Sequence, residues 1–379
     1  MGEPDSPGES RCYKGGPRKI VLLGDARRLA RIVVELESMG FLTETTSNHG
    51  ELEKECRENV LLILPRDTSI SGRGGCIIWR GVPHYQLVPD LIARASKSGE
   101  WCEWEKLFHS LVLERLESLR WDPGSSLPVK PPPIVVLAEA YYDGSPSSSL
   151  DRLQTFKSEG ADIVVLGYRR GDRRGFLSTV EEAVESLGII GVDTWDTQLL
   201  FDSLDLGAWC GLSLTPDKLP LVPERLRSDK CFVLVPPLHV SRAEDRVSSL
   251  MRAWSEGGKL GFAHLVLDPI LYPLVRPGAL NGFLAAKLLA ERVETPLLLG
   301  LHNVYELADA DTTGQLLVLA GLAAEAGVSL FLVGEESVKS WGSVLEARLA
   351  ADLISLALYY GTPPKDYPIR LLVAKEKGR

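Results

Sequence analysis

The 379-residue chain has no apolar run long enough to cross a membrane. The longest clean one toward the C-terminus, Leu316 to Ala324, is nine residues, against the roughly 20 a spanning helix needs. It also lacks an excess of basic charge. Lys and Arg number 42 against 51 Asp and Glu, a formal net charge of −9, which excludes a general nucleic-acid binder, whose affinity rests on displaced counterions. Six cysteines (Cys12, Cys56, Cys76, Cys102, Cys210, Cys231) form no C-x-x-C pair, so no zinc site is expected and the scatter reads as thiols in a reduced compartment. No G-x-G-x-x-G or G-x-x-x-x-G-K occurs, so the Gly24-Asp25 turn reads as a strand-to-helix connection and not as a phosphate loop. Residues 1–17 are rich in Gly, Pro and charge, without the apolar core of a signal peptide, and read as a disordered leader. These absences together predict a soluble, cytoplasmic protein.

Thermolabile residues are also scarce. The chain holds four Asn, four Gln and three Met, and its 27 Arg outnumber its 15 Lys. Heat selects such a composition, which points to a thermophile, although a GC-rich genome also favours Arg.

What is present divides at a proline-rich seam. Between Trp121 and Pro133, prolines stand at 123, 128 and 131–133. Repeated proline fixes φ and removes donors, so 122–133 reads as an extended interdomain linker. Before it, residues 18–121 read as a small α/β domain, with a flavodoxin-like strand order as one option. Its strands are expected at Lys19–Leu23, Val60–Leu64 and Cys76–Trp79, with helices near 29–39, 84–98 and 101–120.

From Ile134 the chain alternates short Val/Ile/Leu strands with amphipathic segments. Strands are expected at 134–138, 162–166, 189–193, 208–213, 231–235, 262–268, 296–301 and 328–333. Helices are expected near 149–159, 178–187, 197–206, 242–256, 279–293, 313–326 and 343–361. Eight strands in some 240 residues, each a continuous apolar run, match a parallel (β/α)8 barrel over 134–379. A doubly wound open sheet is the competing architecture. Ser178…Glu181, Ser241…Glu244 and Ser343…Glu346 have the spacing of capping boxes at helix starts.

In such a barrel, chemistry sits at the C-terminal ends of the strands. Those ends carry Glu139, Gly167-Tyr168-Arg169, Asp193-Thr194, Ser213, Asp268, His302-Asn303 and Glu335-Glu336. A carboxylate terminating an apolar strand is costly to bury unless paired, so Glu139, Asp193 and Asp268 imply a partner rich in donors; loop N–H groups or Arg169 and Arg170 are the alternative partners. Lys339, Ser340, Gly342 and Ser343 precede the last helix and read as an anion site, or as a cap with a solvated lysine. Asp309 and Asp311 beside Thr312 line a site, hold Mg²⁺ or cap the next helix.

The segments GADIVVLG (160–167), GVDT (191–194), LDP (267–269), HNVYELADAD (302–311) and EESVKSWGSV (335–344) resemble dihydropteroate synthase and other pterin-binding barrels. The two long segments are similar to archaeal dihydropteroate synthase-related proteins, which carry an extra N-terminal domain. The resemblance implies a pterin held by Asp193 and Asp268, with Glu139 and Asn303 beside them. It implies a condensation of hydroxymethyl-dihydropterin pyrophosphate with an aryl amine in folate- or methanopterin-type biosynthesis, with Lys339, Ser340, Gly342 and Ser343 around the leaving pyrophosphate. Mg²⁺ is the implied cofactor, with Asp143 as its candidate ligand. A homodimer is compatible with it, and no nucleic acid or membrane partner is implied. The chain departs from the synthases in having Glu139 for the strand-1 Asn, His302-Asn303 for a basic strand-7 segment and Glu335-Glu336 for a strand-8 Arg. A pterin-dependent methyltransferase-like protein and a non-catalytic pterin-binding protein therefore stay open as alternatives.

Overall fold

The computed structural model describes residues 16–68, 70 and 75–371, and the chain falls into two compact units. The first takes in the chain up to Ser118 together with Tyr359–Pro368; the second spans Leu119–Leu358 and resumes at Ile369. The division falls at Ser118, beside the 122–133 segment expected as the linker, and Tyr359–Pro368 joins the first unit. Residues 1–15 of the expected leader lie outside the described residues, while Gly16 and Pro17 are described and buried.

The first unit is built on four parallel strands: β1 (Lys19–Leu23), β2 (Leu42–Thr46), β3 (Val60–Leu64) and β4 (Ile77–Arg80), in the order β2-β1-β3-β4. That is the flavodoxin-like order. β1 and β3 are buried along their whole length, as parallel strands covered on both faces should be. β2, an edge strand with the polar sequence LTETT, was not foreseen because it carries no apolar run. Asp25 caps the helix Ala26–Ser38 by accepting from Arg27 N and Arg28 N, so the Gly24-Asp25 turn is a cap, as expected. Cys56 and Cys76 form a disulfide and Cys102 is also disulfide-bonded. The reading of all six as free thiols is wrong for these three; such bonds persist in oxidising compartments and inside hyperthermophiles.

The second unit is the expected barrel. Its strands are β5 (Val135–Tyr141), β6 (Ile163–Tyr168), β7 (Ile190–Thr194), β8 (Cys210–Leu214), β9 (Cys231–Leu234), β10 (His264–Leu267), β11 (Leu298–Gly300) and β12 (Leu330–Gly334). Neighbours pair in parallel around the ring in the order β10-β9-β8-β7-β6-β5-β12-β11, and a parallel bridge from Leu267 to Leu297 closes it. Closure excludes the open doubly wound sheet. Alternate residues face inward: Val135 and Leu137, Ile163 and Val165, Cys210 and Leu212, Cys231 and Val233 pack with Val266, Leu298, Leu330 and Leu332 inside. The residues between them, such as Val136, Ala138, Val164 and Val192, pack outward among the helices.

Two local expectations fail for physical reasons. The three S-x-x-E spacings are not capping boxes. Asp172 caps the helix Arg173–Leu187, leaving Ser178 inside it; the helix Ala243–Lys259 has Arg242 at its N-cap with no side-chain bond; and Glu346 instead accepts from Thr312 and Thr313. Short acceptors such as Asp172, Asp196 and Ser145 do the capping. Nor does 122–133 lie free of the barrel. Trp121 is buried against the inward residues with Leu127, its Nε1 donates to Ser126 O at 3.2 Å, and Ser329 Oγ donates to Pro128 O. The segment seals the N-terminal end of the barrel. Trp121→Ala should therefore destabilise the barrel by about 3–5 kcal/mol, the range for truncating a buried Trp. Denaturant unfolding measures it, and a loss under 1 kcal/mol would show the seal to be dispensable.

Candidate functional site

The same period of two that fills the barrel sets its mouth. Above Leu137 the next inward residue on β5 is Glu139; above Val165 on β6 it is Gly167; above Gly191 on β7 it is Asp193; and above Val266 it is Asp268, one residue beyond β10. An apolar core thus ends in a layer of carboxyls and glycine. Glu139, Asp193, Asp268 and Asn303, four residues expected to act together, all line one cavity of about 190 Å³, with Tyr141, Trp195, Ser213, Leu238, Ile270 and His302.

The carboxyls are buried and short of partners. Glu139 is 2% exposed, and its Oε1, like Asp193 Oδ1, has no hydrogen-bond partner. Burial pushes the Glu139 carboxyl well above the ordinary range, and Asp193 and Glu336 push it further. Asp193 is raised by burial against the opposing pull of the Ser213 hydroxyl and the Glu139 carboxyl. Asp268 is pushed up to about 7 by burial, although Ile270 N donates to its Oδ1 at 2.7 Å. His302 is lowered by burial; its Nδ1 lies 3.2 Å from Leu332 O and its Nε2 3.9 Å from Glu139 Oε2. With Nδ1–H donating to that carbonyl, Nε2 is left as an acceptor facing Glu139.

Backbone strain collects at the same place. Ser213 and Ile270 both line the cavity at positive φ, 60° and 63°. For a β-branched residue such as Ile270 that is a genuine outlier, of the kind found at ligand sites. Sequence reasoning missed Tyr141 and Trp195. Tyr141 was legible in principle, since it continues the inward period from Glu139. Arg169 stacks its guanidinium 3.5 Å from the Tyr141 ring centre and stands 3.9 Å from Glu336 at the rim.

The expected anion cradle is not assembled. Lys339 Nζ donates to Ala308 O. Ser340 is fully buried and bonds Ser337 O, Ser343 Oγ donates to Gly334 O at 2.9 Å, and Glu335 Oε1 accepts from Val344 N at the head of the last helix. The lysine, both hydroxyls and the Val344 N–H are thus engaged within the fold. Asp143 likewise accepts from Ser145 N, Ser148 Oγ and Ser149 Oγ beside the helix Pro146–Ser158, and among the described residues no cluster of three metal-binding side chains occurs. Asp311 accepts from Thr313 N and caps Thr312–Glu325. A larger cavity, about 970 Å³, lies at the other end of the barrel among Trp121, Trp209, Trp254 and Phe262. Barrel chemistry belongs to the C-terminal mouth, so the smaller cavity with the unpartnered carboxyls is the candidate site.

Fold and site define a closed (β/α)8 barrel with an acidic, buried mouth. No family model matches the chain. It is 28% identical over 240 residues to an uncharacterised protein of Methanocaldococcus jannaschii, covering 60% of this chain and 45% of that one, so the match spans less than half of that relative. Among solved structures it is similar to the dihydropteroate synthase of Vibrio fischeri (15% identity, 61% of this chain and 94% of that one, TM-score 0.49). It is also similar to that of Coxiella burnetii in complex with pteroic acid (18%, 60% and 92%, 0.47) and to that of Thermus thermophilus (22%, 57% and 92%, 0.46). Each is a likeness of the barrel, and no chemistry follows from likenesses this remote. Among the described residues no helix is long and apolar enough to cross a membrane.

The buried carboxyls cost stability in a pH-dependent way. Asp268 has a folded-state pKa of about 7 against an ordinary 3.8. The folded state then binds more protons than the unfolded one between those values, so stability is full below about pH 4 and is lost as pH rises through about 7. Asp268→Asn keeps an acceptor for Ile270 N and removes the titration. Relative to wild type it should gain up to about 4 kcal/mol between acid and pH 8, measured by chemical denaturation across pH. Parallel pH curves for the two proteins would contradict this.

Proposed function

We propose that the barrel mouth binds a pterin-like heterocycle by the hydrogen-bonding edge of its pyrimidine ring, and that the protein is a transferase of the dihydropteroate synthase kind. One observation carries the binding: Glu139 Oε1 and Asp193 Oδ1 are buried without partners in a cavity that also holds Asp268 and Asn303. Buried polar atoms are almost always satisfied, and exceptions mark places where a ligand supplies the partner. A pterin offers an amino group and a ring N–H, which carboxyl oxygens accept.

For the condensation reaction, displacement of pyrophosphate from the pterin needs orientation and a way to stabilise the leaving charge, but no protein nucleophile. Asp193 and Asp268 would orient the ring. Arg169, held over Tyr141 at the rim, is the cation that this reading assigns to the leaving group. A second reading, a pterin-binding protein without pyrophosphate displacement, is favoured by the internal use of Lys339, Ser340 and Ser343.

Titration calorimetry with 6-hydroxymethyl-7,8-dihydropterin and its pyrophosphate ester tests both. Asp193→Asn should weaken either ligand by about 1–3 kcal/mol, roughly fivefold to 150-fold. Tighter binding of the ester than of the alcohol supports the transferase, equal binding supports the second reading, and no binding of either overturns both.

A further inference from the structure

Glu139 stands where a shorter, neutral side chain would fill the mouth with less cost, and its surroundings assign it a particular chemical form. Its carboxyl reaches from β5 across β6 toward Asp193 on β7, through space that Gly167 leaves empty: a Cβ at 167 would lie 2.5 Å from Glu139 Oε1. The two carboxyls line the same small cavity and act on one another's charge there. The other groups facing Glu139 are Tyr141 from β5, Arg169 from the end of β6, His302 after β11 and Glu336 after β12. Arg169 is the one permanent cation among them, and it is drawn away to the Tyr141 ring and Glu336. His302 is held neutral by burial and turns an acceptor toward Glu139.

Two carboxylates this close in a low dielectric cannot both ionise, so the pair holds a proton. Each charge has one hydroxyl to stabilise it, Tyr141 for Glu139 and Ser213 for Asp193, but Asp193 is the more open to the cavity, whereas Glu139 is almost fully buried and also faces the charges of Asp193 and Glu336. The proton therefore belongs on Glu139.

We propose that Glu139 acts as a carboxylic acid and so determines which heterocycle the mouth accepts: a ring edge with an acceptor nitrogen beside an amino donor, as in a 2-aminopyrimidine. On binding, the acid O–H turns from Asp193 to donate to the ring nitrogen, its C=O accepts from the amino group, and the ligand's remaining donor takes the place of that proton at Asp193. A carboxylate there would demand two donors instead and select a different face of the ring. The ligand in this inference rests on the pterin-binding reading; the protonation of Glu139 does not.

Glu139→Gln puts a donor and an acceptor where the acid has them. Its affinity for 6-hydroxymethyl-7,8-dihydropterin should stay within about threefold of wild type near neutral pH, while Glu139→Leu loses about tenfold or more. Wild-type affinity should fall as pH rises and Glu139 ionises, and the Gln variant should show no such fall. A tenfold or greater loss in the Gln variant, with Leu no worse, would overturn the proposal. If wild type binds no pterin, the function proposed above fails, and infrared difference spectra of ligand-free wild type against Glu139→Gln still decide the protonation. A protonated-carboxyl stretch that shifts in D₂O supports it, and carboxylate bands in its place overturn it.

Discussion

Three carboxyl groups share one small cavity at the end of an apolar barrel, and they cannot all be charged there. Ionising a buried carboxyl without a cation costs several kcal/mol, so the mouth must hold protons, borrow donors, or wait for a ligand that supplies them. The structure uses the first two. Ile270 N donates to Asp268, the Ser213 hydroxyl favours charge on Asp193, and Glu139 keeps a proton beside Asp193. Gly167 is what makes the arrangement geometrically possible, since any side chain there would push Glu139 aside.

The rest of the barrel is arranged so that this layer can be tolerated. Below it the inward side chains are apolar, most of them branched, and Trp121 and Leu127 pack at the far end. Positive-φ residues at 213 and 270 concentrate backbone strain on the loops of the mouth, while the strands beneath stay regular. Stability is built into the closed core and given up at the mouth, the usual division between scaffold and binding site.

Much of this was legible in the chain. Runs such as IVVL and CFVLV mark strands buried on both faces, and their rhythm with amphipathic segments marks a barrel. Once the strands are placed, Glu139, Asp193 and Asp268 fall at the mouth because each ends an apolar run. The failures are just as specific. Lys339 and Ser343 look like an anion site in a local window, but the carbonyls of Ala308, distant in sequence, and of Gly334, at the end of β12, engage them. Ser178 and Glu181 have capping spacing, yet Asp172 starts the helix a turn and a half earlier.

The sequence by itself determined the periodicity, and with it the two units, the parallel barrel and the carboxyls at its strand ends, because alternation and strand length are properties of neighbouring residues. Only the tertiary structure decided which of those polar groups are free. Whether an oxygen or an ammonium is left for a ligand depends on carbonyls, hydroxyls and glycines brought to it from other elements of the barrel. Thus Glu139 and Asp193 meet across Gly167 with unpaired oxygens, while Lys339 is consumed by the fold. The proton on Glu139 is of the same origin: no local sequence sets it, because it follows from how closely the closed ring brings one carboxyl to another.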